Sequence, residues 1–178
     1  MNRNIKGWTY RIFADDLDSE MFGMFAPLVK LWRGKGGGQG YPSWRDFDIA
    51  EDFAGWWGRL SLADILDDPF DIEFALWGTT LTEWWGHDYT RKKMSDVYRN
   101  REENWEKFEG PYFRILRDVG GIGFISGDLR ALNRGHIVVH GIDLPLIKDG
   151  SVRQVLSGYA LADETENPIA GAKPLWQV

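Results

Sequence analysis

Residues 71–92 have the sequence DIEFALWGTTLTEWWGHDYTRK and change from a strand pattern to a helix pattern within a few positions. Ile72, Phe74 and Leu76 alternate with residues that point to the opposite face, which is typical of a half-buried strand. Gly78 marks the end of this pattern, because glycine weakens a strand interior. The stretch therefore predicts a strand that runs directly into a helix.

The predicted helix is short and has its own start and stop signals. Thr80 and Glu83 have the T-x-x-E spacing in which side chains satisfy free backbone N–H groups at a helix start. Gly86 suits the left-handed conformation that ends many helices. A helix of fewer than two turns is unstable alone, so its apolar side chains must pack against a sheet. These side chains are Leu81, Trp84 and Trp85.

Four more strands are predicted around this junction. Leu60, Leu62 and Ile65 indicate a strand that the turn at 67–69 folds back onto the strand from Asp71. The last third predicts a three-stranded meander, in which Asp149-Gly150 is the strongest hairpin signal. Its strands are predicted at 129–132, 136–146 and 152–161, which gives five antiparallel strands in all.

Helices are predicted before and between these strands. Apolar residues at helical spacing predict a helix over 16–33 that Pro27 either kinks or restarts. A surface helix is predicted over 94–108, and Gly110-Pro111 separates it from a further helix over 112–119. Because the later helices fall between the second and third strands, we expect them to cover one face of an α+β fold.

Three blocks of the sequence resemble a known family. The blocks are W-G-T-x-L-x-E-x-x-G-x-D-Y-T from Trp77 to Thr90, Leu31–Arg33 with Pro42–Asp48, and Ile142–Leu146 followed by Asp149-Gly150. Over roughly residues 28 to 160 they are similar to the bacterial PAS-like family, in its PAS_5 group of small alphaproteobacterial sensor-type domains. Arg91 stands where that family usually has glycine, and His140 where it often has glutamate. The resemblance implies a PAS-like five-stranded antiparallel sheet with helices on one face, and a sensory role without a named ligand.

The predicted domain organisation has three parts. Residues 1–58 are expected to form an N-terminal helical extension, 59–161 the PAS-like core, and 162–178 a polar C-terminal tail. Alternation over residues 8–12 is compatible with either an edge strand or a docking arm. The amphipathic stripe of the 16–33 segment predicts a homodimer, because exposed Met, Phe and Leu side chains usually mark interfaces.

Composition excludes several functional classes. The chain has 178 residues and no cysteine, which excludes disulfides, thiolate metal sites and flavin–thiol adducts. A net charge of −6 disfavours nucleic acid as a partner. No apolar run approaches the roughly 20 residues that span a bilayer, and the start lacks a signal-peptide core. The sequence therefore predicts a cytoplasmic protein without a membrane partner.

Motifs for cofactors and catalysis are weak. His136 and His140 lie four residues apart on a predicted strand, about 13 Å from each other, so one metal cannot bind both. Gly34–Gly40 lacks the strand and the G-K-[ST] helix start of a phosphate loop and is interpreted as a linker. Gly121-x-Gly123-x-x-x-Gly127 has no βαβ context for a dinucleotide. The 94–108 segment contains no histidine that could bind haem in the way that some PAS domains do. The cofactor is unknown, and no catalytic residues are predicted.

Three functional hypotheses follow. The first is a sensory domain that binds a small molecule and passes a conformational change to a separate signalling partner. The second is a ligand-free dimerisation or interaction module. The third is a small-molecule enzyme, which is the minority hypothesis because no Ser/His/Asp or paired-carboxylate arrangement stands out in the sequence.

A ligand site is predicted between one sheet face and the helices. Its expected lining is Phe74, Leu76, Trp85, Trp105, Phe108, His140 and Ile142. A mostly apolar wall with one imidazole favours an apolar or aromatic ligand with few polar contacts. The competing interpretation is that these rings fill the core and leave no space. If His140 points toward the covered side of the sheet, we expect burial to lower its pKa; the alternative is a surface histidine at a strand edge with an unperturbed pKa.

Overall fold

The computed structural model describes residues 7–37, 40–99, 104–164 and 169–178, without the side chains of Phe108 and Glu164. The strands in these ranges are β1 (Thr9–Phe13), β2 (Leu60–Asp67), β3 (Phe70–Trp77), β4 (Ile122–Leu129), β5 (Arg134–Lys148), β6 (Ser151–Leu161) and β7 (Trp176–Gln177). They form one antiparallel sheet in the order β3-β2-β6-β5-β4-β1-β7. The fold is therefore α+β, as predicted.

The α-helices are α1 (Ala26–Lys35), α2 (Ile49–Asp52), α3 (Thr79–Trp85), α4 (Met94–Val97) and α5 (Trp105–Asp118). Short 3₁₀ helices occupy Ser19–Phe25, Trp44–Asp46, Trp57–Arg59, Arg130–Leu132 and Ala162–Glu164. Within the described ranges, none of these helices is long and apolar enough to cross a membrane.

Two hydrophobic clusters cover opposite faces of the sheet. Phe124 belongs to one and its neighbour Ile125 to the other, and successive strand residues point to opposite faces. The first, called the α1 cluster, contains Phe22, Phe25, Leu28, Val29, Trp32, Phe124, Ile142, Leu144 and Leu156. The second, called the α5 cluster, contains Ile72, Phe74, Leu81, Trp105, Tyr112, Leu116, Ile125, Val155 and Tyr159. α3 and α5 cover one face, as predicted for the helices between the second and third strands, whereas the helices of the N-terminal segment cover the other face.

The predicted 16–33 helix is two helices, and its apolar stripe is buried. The 3₁₀ helix Ser19–Phe25 ends where α1 begins, and Pro27 lies in the first turn of α1, as one of the two alternatives predicted. Phe22, Phe25 and Trp32 are buried against the sheet. The stripe is thus used inside the chain, which removes the argument for the homodimer; the homodimer itself stays a prediction.

The start of α3 differs from the prediction, whereas its end does not. Gly78 is the N-cap and no side chain caps the helix, so the predicted pair of Thr80 and Glu83 is wrong. Gly86 ends α3 with a φ of 76°, in the left-handed conformation expected. Leu81 is fully buried in the α5 cluster, so packing on the sheet stabilises this short helix.

The helical region before β4 is also divided differently. α4 has four residues, and α5 runs through Pro111 instead of ending at Gly110. Proline removes one helical hydrogen bond and crowds the preceding turn. Tyr112 and Leu116 are fully buried beyond it, and this burial outweighs the local cost. The prediction of two helices separated at residue 110 is wrong.

The last third forms the predicted meander with its first strand displaced. β4 covers 122–129, which includes the last two glycines of the Gly121–Gly127 motif, whereas the predicted strand at 129–132 is mostly a 3₁₀ turn. β5 and β6 meet at the Asp149-Gly150 turn, as predicted. Residues from the predicted N-terminal extension and C-terminal tail form β1 and β7, so all three predicted parts contribute to one sheet.

Candidate functional site

A cavity of about 130 Å³ lies between the sheet and the helices on the α5 face. Side chains from β1 to β6, from α3, α4 and α5, and from the 3₁₀ helix Arg130–Leu132 line it. Its lining includes Trp8, Tyr10, Ala63, Phe74, Trp77, Trp85, Tyr89, Tyr98, Glu109, Tyr112, Phe113, Ile125, Asp128, Asp143, Ser157 and Tyr159. An aromatic wall with a few polar groups is typical of small-molecule sites.

The polar part of the cavity floor comes from one row across the sheet. Register pairs Trp77 with Ser61, Ser61 with Ser157, Ser157 with Asp143, and Asp143 with Gly123. Trp77, Ser157 and Asp143 of this row line the cavity. Antiparallel pairing thus brings polar residues from four separate strands side by side.

Asp143 is the one acidic residue of this row, and its carboxyl group is buried. Asp143 is 2% exposed, and the hydroxyl of Tyr112 donates a hydrogen bond of 2.5 Å to its Oδ2. Burial raises the pKa of the Asp143 carboxyl, and hydrogen bonds with Ser157 and Tyr112 oppose that rise. Burial also raises the pKa of Tyr112 well above its usual value, and the nearby Asp143 charge adds to the effect. Tyr112 is therefore a neutral donor at pH 7.

A second carboxylate, that of Glu109, connects α5 to β1. The hydroxyls of Tyr10 on β1 and Tyr98 after α4 each donate to Oε1 of Glu109 over 2.8 Å. Burial, followed by the charge of Glu109, raises the pKa of Tyr10 well above its usual value. Tyr10 therefore keeps its proton and links β1 to α5 through the cavity wall.

Four rings form one corner of the cavity at steep angles to one another. The centroids of Trp77 and Trp85 are 5.3 Å apart at 87°, and those of Trp77 and Tyr89 are 5.0 Å apart at 66°. Trp85 also meets Tyr159 edge-on at 5.5 Å. These are favoured edge-to-face contacts. In this corner both ring edges and ring faces therefore border the cavity.

Two glycines of β4 make room for rings over the sheet. A Cβ added to Gly123 would lie 2.0 Å from the Tyr112 hydroxyl, and one on Gly127 would lie 2.3 Å from the Trp8 ring. Glycine within a strand commonly marks such a close approach. The glycine motif of residues 121–127 thus serves packing within an antiparallel strand, and a dinucleotide loop is not formed there.

The seven predicted site residues are divided between the two faces. Phe74 and Trp85 line the cavity, and Trp105 is buried in the same cluster with its ring stacked on Phe70 at 5.9 Å. The Phe108 side chain lies outside the described part of the structure. The remaining three, Leu76, His140 and Ile142, face the α1 cluster. The prediction that Phe74 shares one sheet face with Leu76, His140 and Ile142 is wrong.

A β-bulge separates Leu76 from Phe74. Leu62 pairs with Leu76, but the next residue, Ala63, pairs with Phe74, so β3 contains one extra residue at Ala75. An extra residue reverses the alternation beyond it. Trp77 therefore joins Phe74 on the cavity side, and Leu76 contacts the α1 cluster.

His140 lies on the opposite face from the cavity, with its ring 5.5 Å from that of Phe124. Its Nδ1 is buried without a hydrogen-bond partner among the described residues. Burial lowers the pKa of His140, and the positive charge of Arg11 adds to the effect. The predicted direction is confirmed, although the residue is not part of the cavity.

Sequence reasoning missed Asp143, Glu109 and Tyr112. Asp143 interrupts an otherwise apolar strand, IDLPLI, and a carboxylate in such a run was the one available signal. Glu109 precedes Gly110-Pro111, a pair that predicts a helix end. The sequence therefore did not indicate that Glu109 lies within a helix and faces the sheet. Among the described residues, no group of three or more His, Asp or Glu side chains could hold a metal ion.

Comparisons of the chain with protein-family models, with curated proteins and with solved structures give no match.

Proposed function

We propose that this protein is a PAS-like sensory domain that binds a small molecule in the cavity beneath α5 and signals through a separate partner protein. The cavity, with its aromatic wall and buried polar floor, is the observation that carries the proposal. A closely packed interior leaves few voids larger than a water molecule. A space of about 130 Å³ beside Asp143 and Trp77 is therefore better suited to binding than to packing.

The strand arrangement supports the PAS-like part of the proposal. β2 and β3 form a hairpin, β4 to β6 form a meander, and the helices α3 to α5 lie between β3 and β4. This is the order of elements that the resemblance implies for a PAS-like core. β1 and β7, beside β4, extend that core.

Two of the segments that carry the resemblance, 31–48 and 142–150, contact each other. Trp32 donates its Nε1 hydrogen to the carbonyl of Pro145 over 2.8 Å, and the N–H of Ile147 donates to the carbonyl of Pro42. Arg91, which replaces the usual glycine of the family, has a φ of 61°, a conformation that favours glycine. These local features agree with a shared backbone pattern.

A route for signalling begins at the cavity wall. Tyr10 lines the cavity, and its backbone exchanges two hydrogen bonds of 2.9 Å with Val178, next to β7. A ligand that displaces Tyr10 or Glu109 would therefore shift β1 and β7 together. In this proposal the protein is not an enzyme, and its homodimer, signalling partner and cytoplasmic location stay predictions from the sequence.

Native mass spectrometry of the purified protein tests the proposal. We expect a bound small molecule in the wild type and its absence in Ala63→Leu, because Ala63 lines the cavity. Ala54→Leu, at an exposed position, is the matched control and should retain the molecule. If the wild type is empty and no compound of a metabolite and flavin panel changes its melting temperature or tryptophan fluorescence, the proposal is wrong and the ligand-free interaction module stands.

A further inference from the structure

We propose that the ligand of this cavity is a small organic cation, an amine or quaternary ammonium compound that also carries one hydrogen-bond acceptor. This inference rests on the proposed function, namely that the cavity binds a ligand, and it specifies the chemical class. It differs from the apolar or aromatic ligand predicted from the sequence, because the polar groups of the cavity were not foreseen.

The charge of the lining is the first argument. Glu109, Asp128 and Asp143 all line the cavity, whereas none of its described lining residues is a lysine, an arginine or a histidine. Arg130 pairs with Asp128 through bonds of 2.7 and 2.9 Å from its Nε. Asp143, in contrast, has hydroxyl groups as its hydrogen-bond partners. A cation brought beside Asp143 would therefore meet a buried acid that a hydroxyl cannot neutralise.

The aromatic corner is the second argument. Trp77, Trp85, Tyr89 and Tyr159 all line the cavity at steep mutual angles. Ring faces attract cations, tryptophan most strongly, and cages of such rings recognise quaternary ammonium groups. Aliphatic side chains would hold a neutral apolar ligand equally well, so rings combined with carboxylates favour a positive charge.

The indole of Trp77 supplies an independent argument for a ligand. Trp77 lines the cavity and is only 8% exposed, and its Nε1 has no hydrogen-bond partner among the described residues. Most buried polar atoms are hydrogen-bonded, so this donor calls for an explanation. Because Nε1–H can only donate, a hydroxyl or carbonyl oxygen on the ligand would satisfy it.

The size of the cavity limits the ligand. An apolar protein cavity of about 150 Å³ holds benzene. The present cavity, at about 130 Å³, therefore suits a compact molecule, and larger amines such as polyamines or aromatic alkaloids exceed it. Choline meets all four conditions of charge, ring contact, acceptor and size, and it is used here as a probe.

A matched pair of probes isolates the charge without changing the protein. Choline and 3,3-dimethyl-1-butanol have the same shape and hydroxyl group, but only choline is positively charged. Isothermal titration of the wild type should give an affinity for choline that is at least roughly tenfold higher. Tetramethylammonium, which lacks the hydroxyl, should bind more weakly than choline, and Trp77→Phe should remove that difference.

Variants of Asp143 and Asp149 test which carboxylate attracts the cation. Asp143→Asn keeps the acceptor for Tyr112 but removes the charge, and we expect it to weaken choline binding by roughly tenfold while leaving the neutral alcohol unaffected. Asp149→Asn, at an exposed turn, is the control and should change neither affinity. The comparison of probes on the wild type remains decisive if Asp143→Asn does not fold.

The outcomes separate this inference from the proposed function. If the alcohol binds as tightly as choline, or if only neutral or anionic compounds bind, the cation inference is wrong and the proposed function stands. If Ala63→Leu does not reduce choline binding, choline binds elsewhere and the inference is likewise wrong. If nothing binds and nothing co-purifies, both fail.

Discussion

Replacing Ala63 with leucine tests whether this part of the protein contains an open cavity or a closely packed core. Ala63 lies on β2, is 2% exposed and lines the cavity. Leucine adds three carbon atoms at this wall. Since the cavity measures about 130 Å³, we expect the larger side chain to enter it without displacing the neighbouring rings.

The expected magnitude follows from burial of those three carbons. Each buried methylene contributes about 0.8 kcal/mol, so filling the cavity contributes at most about 2.4 kcal/mol. Fixing a leucine rotamer costs about 0.5–1 kcal/mol. The free energy of unfolding should therefore rise by about 1–2 kcal/mol. In a closely packed core the same substitution would lower the free energy of unfolding by about 1–3 kcal/mol. The two interpretations therefore predict changes of opposite sign.

Ala160→Leu provides the matched control. Ala160 is fully buried on β6 in the α1 cluster, on the opposite face of the sheet. We expect this variant to lose about 1–3 kcal/mol through overpacking. Equilibrium unfolding in urea measures the free energy of unfolding of both variants. The comparison requires that the slope of this free energy against urea concentration is the same as in the wild type. A loss of stability in Ala63→Leu equal to that in Ala160→Leu would refute the cavity.

Three further variants test individual contacts. Tyr112→Phe removes the donor to the buried Asp143 carboxyl and should lower the unfolding free energy by about 1–3 kcal/mol in urea at pH 7; no change would contradict the role of that bond. Because burial lowers the pKa of His140, the unfolded chain takes up a proton below about pH 6.5 before the native state does, so acid reduces stability. His140→Gln should weaken this pH dependence, and an identical profile would argue against it. Trp105→Ala should cost about 3–5 kcal/mol, because Trp105 is buried and stacked; a loss below about 1 kcal/mol would show that its ring is loosely packed.

The sequence predicted local elements well where the signal is itself local. The turn at 67–69 joins β2 to β3, and Asp149-Gly150 joins β5 to β6. Both depend on residues whose backbone preferences act within a few positions. The same holds for Gly86, whose missing Cβ permits the left-handed end of α3.

The candidate site was less predictable, because its composition depends on contacts between distant strands. Alternation along β5 correctly groups His140 with Ile142, but it does not show which residues of β3 lie on the same face of the sheet. The bulge at Ala75 places Phe74 and Leu76 on opposite faces. The sequence of β3 alternates as if there were no bulge, so the pattern does not predict it. Phe74 and His140 were therefore placed together although the sheet lies between them.

The alternate residues of β5 explain why the sequence does not indicate a covered face on the side of the cavity. Gly141, Asp143 and Pro145 alternate with large apolar residues, a pattern that predicts a strand with one solvated face. The structure instead covers this face with rings from other segments: Tyr112 lies over Gly123, and the Tyr159 ring would be 3.0 Å from a Cβ on Gly141. Both rings approach the strands closely there, because glycine has no side chain to hold them away. Tyr112 and Tyr159 also line the cavity, together with Ala63, Ser157 and Asp143 from three different strands, and the buried carboxyl of Asp143 makes part of that lining polar.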